Sequence, residues 1–203
     1  TLEECAIRGV TLGANRAMPG AVQAIQRSEI VVRRSLIAGV RGLAVSSAES
    51  DVSLEDCVLR DSIAVSEELG GRGVEVSSGG SLRVARVTIS RAQEVAAGAF
   101  QASRLRLDDV AILDTQAGAG RAGMGVFIKG GSSAAIEGVE VVRSVGYAVL
   151  AAEAGTALSA RGLSVREFTP WRVGLGVGVI LRDGARAEVT GSAVEDAVAY
   201  GLW

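Results

Sequence analysis

The octapeptide at residues 2–9 (LEECAIRG) returns at residues 54–61 (LEDCVLRD) with four of eight residues identical. Both copies carry an apolar residue followed by apolar residues three and five positions on: Leu2-Cys5-Ile7 and Leu54-Cys57-Leu59. The same spacing recurs as Val84-Val87-Ile89, Leu107-Val110-Ile112, Ile136-Val139-Val141 and Ala160-Leu163-Val165, with weaker copies at Val32-Ser35-Ile37 and Val189-Ser192-Val194. Such a repeat constrains the fold strongly, because a unit too short to bury its own apolar face must stack on its neighbours. A second short run precedes most copies, often opened by glycine: Gly73-Val74-Glu75-Val76, Gly125-Val126-Phe127-Ile128 and Gly178-Val179-Ile180-Leu181. Alternation by two within each run is the pattern of a strand with one face in and one out.

The eight first residues are separated by 30, 22, 30, 23, 29, 24 and 29 positions. This predicts an all-β solenoid of about eight coils, alternately 22–24 and 29–30 residues long, over residues 1–203. At about 4.8 Å of rise per coil, the rod would be roughly 38 Å long. A βαβ arrangement is the competing architecture, with Ser90–Ser103 and Glu195–Tyr200 Ala-rich enough for helices. It is disfavoured because a crossover needs about a dozen residues beyond its strands, and the short coils already hold two strands and their corners. Coiling is expected to be right-handed, following the general preference of parallel crossovers. Aromatic residues are only 3% of a chain that is 48% apolar, so the core must be thin and aliphatic.

Charge gives an independent check of register. The position two after each first residue reads Glu4, Arg34, Asp56, Arg86, Asp109 and then glycine, and the position seven after reads Asp61, Arg91, Asp114, Arg143, Glu167 from the third coil. Signs alternate down both columns, as stacked outward side chains about 4.8 Å apart require. These are read as solvated ladders and not as catalytic acids. On the same register Cys5 and Cys57 point inward two coils apart, too far for a disulfide, as buried reduced thiols.

Several chemistries are excluded at the outset. The chain has no histidine, which removes Ser-His and Cys-His nucleophile pairs and His-ligated zinc. A formal charge of −2 argues against a sequence-independent grip on nucleic acid, and no uninterrupted apolar run is long enough to span a membrane. No cofactor or metal site is indicated.

Short strands, coils of about 22 residues, inward aliphatic ladders and corner glycines make the chain resemble the right-handed parallel β-helix proteins of the pectate-lyase-like superfamily. The resemblance is one of architecture and extends over the whole chain. It implies a secreted or cell-surface location, a bacterial source and acidic polysaccharide as ligand. The motifs of its enzymes are missing: there is no Gly-His-Gly, no Arg-Ile-Lys stretch and no Asp-Pro-His-Asp. Asp108-Asp109 fits a salt ladder between Arg86 and Gly138 better than a calcium cage. A polysaccharide lyase or hydrolase would have to use Lys129, the only lysine, and Arg182, with Glu153 and Arg182 as the stacked equivalents of Lys129.

Sites on solenoids lie along rows of insertions. The long coils carry their extra residues at one corner, in Leu12–Gly20, Glu67–Gly73, Ala117–Gly125 and Phe168–Gly178, each with one arginine: Arg16, Arg72, Arg121 and Arg172. Two coils apart, these arginines would form a row with a step of about 10 Å, suited to the carboxylates or sulfates of an acidic glycan. The alternative is that Met18, Met124 and Leu175 fold the loops back over the rod while the arginines cap carbonyls. Trp171 beside Arg172, with Tyr147 and Tyr200 at flanking corners, adds an aromatic surface able to stack sugar rings or to cover the last coil. The expected function is a non-catalytic β-helix segment, scaffold- or adhesin-like, that binds acidic polysaccharide weakly. Its uncapped ends predict a piece of a longer repeat protein, or pairing with neighbouring coils of the same or another chain.

Overall fold

A computed structural model describes residues 1–11, 20–66, 70–118, 120–171 and 176–195, together with the backbone of 200–202. Its described residues form three parallel sheets of eight strands each, and none of them is helical. Every sheet pairs each strand with those one coil before and one coil after, the topology of a parallel β-helix solenoid. The eight first residues occupy one column of the first sheet: Leu2, Val32, Leu54, Val84, Leu107, Ile136, Ala160 and Val189. Ser90–Ser103 is not a helix. It carries the strand Glu94–Ala99, whose side chains are buried on both faces. Such burial on both faces suits alanine and glycine as well as a helix does, so composition could not separate the two.

Three bends close each coil. Between the first and second sheets one residue per coil adopts a left-handed conformation: Glu4, Arg34, Asp56, Arg86, Asp109, Gly138, Gly162 and Gly191, with φ between 44° and 65°. At the matching point of the second sheet Gly9, Gly39, Asp61, Arg91, Asp114, Arg143 and Glu167 do the same, with φ of 52–65°, Gly39 and Asp61 doing so inside the strands Leu36–Arg41 and Val58–Ile63. A single such residue turns the chain sharply while leaving its N–H free to bond the next coil, as Asp56 N–H does to Ala85 O at 3.1 Å. The charge ladders are therefore corner residues. Arg86 clamps Asp56 at 2.7 Å and Arg91 clamps Asp61 at 2.6 Å, each holding its aspartate below the usual carboxylate range.

At the third bend, hydroxyls inside the rod add hydrogen bonds to backbone groups. Ser103 Oγ donates to Phe100 O at 2.7 Å and accepts from Gly79 N–H, while Ser103 N–H donates to Ser132 Oγ at 3.1 Å. The core between the sheets is aliphatic apart from Phe168, with Ile37, Leu54, Leu59, Leu82, Ile89, Leu107 and Ile112 among its fully buried side chains. Cys57 is buried and Cys5 half-buried, both as free thiols, with Ser35 in the coil between them. Asp109 lies between Arg86 and Gly138 in register, and Asp108 takes Arg83 at 3.4 Å and Arg106 at 2.8 Å.

Candidate functional site

The outward face of the third sheet departs from the regular ladders. Its strands Gly71–Ser77, Glu94–Ala99, Gly123–Lys129, Gly146–Ala152 and Val177–Arg182 carry the positions that follow the insertion corner. One outward column reads Leu43, Arg72, Val95, Met124, Tyr147 and Val177. The next reads Ser46, Glu75, Gly98, Phe127, Leu150 and Ile180. Toward the later coils these columns merge into a second apolar cluster outside the core, built on Val95, Met124, Leu150, Val177 and Ile180 with Phe127 and Tyr147 against it. In the strand Gly71–Ser77 they are charged, with Arg72 and Glu75. A cleft of about 730 Å³ opens where the two regimes meet.

Two carboxylates anchor the charged side of this cleft. Glu94, only 3% exposed, accepts a hydrogen bond from Arg121 Nη1 at 3.0 Å and lies 3.5 Å from Arg72 Nη2. Glu75, also buried, takes the other amino group of Arg72. The Arg72 guanidinium sits 5.4 Å from the centre of the Phe100 ring, which meets Phe127 edge-on at 5.4 Å. Lys129 Nζ lies over the opposite part of the aromatic pair, 5.8 Å from the Phe127 centroid, and has no ion-pair partner among the described residues. Such contacts between cation and ring favour a fixed placement of the charge over a freely rotating one. Tyr147 and Trp171 complete the wall.

Small residues make this packing possible. The Phe100 ring folds back over Gly98, where a Cβ would stand 2.8 Å from its ring carbons. The Glu94 carboxylate occupies the space in front of Gly70, where a Cβ would overlap Oε2. Glu94 itself has φ of +113°, a region almost reserved for glycine and worth on the order of 1–3 kcal/mol of strain in any other residue.

Of the candidates raised by the sequence, Arg72, Arg121, Lys129, Tyr147 and Trp171 meet in this one cleft. Arg16, Arg172 and the side chain of Tyr200 lie outside the described residues, although the Tyr200 backbone pairs with Val177 in the Tyr147 column. The even row of arginines is corrected. Arg72 lies in a strand and stacks on Leu43 and Val95, whereas Arg121 precedes its strand, and the two converge on Glu94 instead of spacing evenly. The Lys129 column is also corrected: it reads Lys129, Ala152, Arg182, with Glu153 one position further on. The bend after Gly146–Ala152 holds four residues, 153–156, where the bends after Gly123–Lys129 and Val177–Arg182 hold three, so Lys129 stacks on Ala152 and not on Glu153. Arg182 is drawn away to Asp183 at 3.1 Å and does not line the cleft.

Sequence reasoning missed Glu75, Glu94, Phe100 and Phe127. A usable signal existed for Glu94, because its aligned positions Gly42, Gly71, Gly123, Gly146 and Gly176 are all glycine. A larger groove, about 820 Å³, runs along the outer face of the first sheet. It is floored by small side chains such as Ser133, Ala135, Ala157 and Ser159, and two of its arginines, Arg83 and Arg106, are turned onto Asp108. The third-sheet cleft, with buried charge and rings together, is the better candidate.

Fold and cleft together define a parallel β-helix solenoid bearing a charged, aromatic cleft on one sheet. No protein-family model matches the chain, and no curated protein matches it in sequence.

Proposed function

We propose that this chain is a non-catalytic segment of a right-handed, pectate-lyase-like β-helix of about eight coils, secreted or displayed on a bacterial surface, that binds an acidic polysaccharide in the third-sheet cleft. The observation that carries the reading is the meeting of Arg121 and Lys129 with the rings of Phe127, Tyr147 and Trp171 around one open cleft. Ring faces stack on the apolar faces of sugars, while a half-exposed guanidinium and an ammonium without an ion-pair partner are suited to carboxylate or sulfate. Glu75 and Glu94 are engaged by arginines and serve the site as fixed counter-charges.

A titration with polygalacturonate and with heparin tests this, following tryptophan fluorescence and the absorbance of unsaturated uronate together. Saturable fluorescence change without new absorbance, lost in Trp171→Ala and Lys129→Ala variants that still fold, is the expected result. No change with either polymer would refute binding.

A second reading, a lyase or hydrolase acting on acidic glycans, is favoured by a different observation: the buried carboxylates of Glu75 and Glu94 converge with Arg72 and Arg121 in this cleft outside the ladders. Rising absorbance in the same titration, abolished by Lys129→Ala, would select it.

A further inference from the structure

Glu94 stands where this fold uses glycine. Its strand neighbours in the same column are Gly71 on one side and Gly123 on the other, and Gly42, Gly146 and Gly176 continue it. The slot favours glycine for two reasons: Gly42 has φ of +111° and Gly146 of +122°, close to the +113° of Glu94, whereas at Gly71 and Gly123, which lack a positive φ, a Cβ would stand 2.2 and 2.8 Å from backbone atoms of neighbouring segments. A glutamate here is strained, 3% exposed and charged, three features that each work against the folded state unless something compensates.

Holding the local structure together does not require it. The segment bearing Arg121 closes on itself, with Gly118 N–H donating to Arg121 O at 3.0 Å. Arg72 keeps Glu75 as a partner and Phe100 under its guanidinium. The backbone of residue 94 bonds Gln116 O at 3.0 Å through its N–H, which glycine would also supply. What glycine could not supply is the carboxylate that takes Arg121 at 3.0 Å and lies 3.5 Å from Arg72. Arg121 is 48% exposed, so without that anchor its long side chain would range over many rotamers.

We infer that Glu94 is a positioning residue, retained at a glycine position because its carboxylate orients the Arg121 guanidinium at the cleft mouth to receive the anionic group of a bound saccharide. This rests on the glycan-binding reading above and adds to it the residue that sets selectivity for charge. The carboxylate oxygen used by Arg121 leaves other donors of the same guanidinium free for a ligand, since a guanidinium carries five N–H groups in a planar fork.

The test compares wild type with Glu94→Gly, Arg121→Ala and the double variant. The probes are polygalacturonate and its fully methyl-esterified form, which presents the same rings without charge. Glu94→Gly should melt within about 3 °C of wild type or above it, because strain relief and the lost ion pairs oppose each other. Its affinity for polygalacturonate should fall about tenfold, the scale of one charge-assisted hydrogen bond, and its affinity for the ester should stay within about twofold. In the double variant the loss should equal that of Arg121→Ala alone, since both changes remove one interaction.

A melting point lowered by more than about 10 °C in Glu94→Gly would make Glu94 a structural fastener and overturn the inference. Wild-type affinity for polygalacturonate in Glu94→Gly, or equal losses for charged and esterified polymer, would overturn it while leaving the binding reading intact. A wild-type chain that binds neither polymer would remove the binding reading and this role with it.

Discussion

Asp114 offers a direct test of the corner geometry. It belongs to the column Gly9, Gly39, Asp61, Arg91, Asp114, Arg143, Glu167, and its φ is 56°. Its carboxylate accepts from Arg143 Nε at 2.5 Å and Nη2 at 3.1 Å, with 37% of the side chain exposed. Asp114→Ala and Asp114→Gly both remove this ion pair, which after solvent screening is worth under about 1 kcal/mol. They differ in backbone. Alanine in a left-handed conformation is disfavoured by about 1–2 kcal/mol, glycine by nothing, and the greater freedom of glycine in the unfolded chain returns roughly half of that advantage. The glycine variant should therefore be the more stable by about 1 kcal/mol, a gap of about 2–4 °C in melting temperature for a chain of this size. Scanning calorimetry of wild type and both variants measures it. Molar salt should shrink the gap between wild type and Asp114→Gly but leave that between glycine and alanine, since steric strain is not screened. An alanine variant as stable as the glycine variant would mean that the corner is not left-handed, and the ladder account of the bends would fail.

Asp61 and Asp114 are held below the ordinary aspartate value of 3.8, first by hydrogen bonds from Arg91 and Arg143. A depressed folded value means that their stabilisation is complete above pH 4 and is lost as pH falls through the folded values, so melting temperature should decline from about pH 4 downward. A profile flat to pH 2 would contradict it. Burial pushes the Cys57 thiol up, whereas Cys5 is half-buried, so a thiol reagent at pH 8 should label Cys5 first and Cys57 only on unfolding. Equal labelling rates in the native protein would refute that assignment. Gly98→Ala places a Cβ 2.8 Å from the Phe100 ring, and urea denaturation should show a loss of about 1–3 kcal/mol as the ring is displaced. An unchanged urea midpoint would mean that the ring does not rest on Gly98.

Much of the fold was legible because a solenoid repeats its local instructions. Inward residues such as Leu54, Val84 and Leu107 recur at one spacing, and the parallel ladder then aligns them with no further choice. The alternating signs at Asp56 and Arg86, or Asp61 and Arg91, likewise reported neighbours before any geometry was known. That these residues also turn the chain was harder to read, since arginine carries little of the left-handed preference that marks glycine and aspartate only a part of it.

The cleft was legible only in part. Arg72, Arg121, Lys129, Tyr147 and Trp171 stood out by rarity or by place in a loop, and they do meet. Their spacing could not be read, because the bend after the third sheet shifts Lys129 onto Ala152 and turns Arg182 toward Asp183. Glu75 sat unnoticed in a strand run and Glu94 in the Ala-rich stretch Ser90–Ser103, because an outward residue looks like any other until something covers it.

The sequence by itself determined the all-β class, the register of the first sheet, the mainly aliphatic core and the exclusion of histidine chemistry. Each of these depends on residue type at a fixed spacing along the chain. Only the tertiary structure decided that Arg72 and Arg121 would share Glu94, that Phe100 would fold over Gly98, and that a glutamate would occupy a glycine corner. The ion pairs depend on how far each side chain reaches between coils more than 20 residues apart, and spacing along one strand carries no record of that reach.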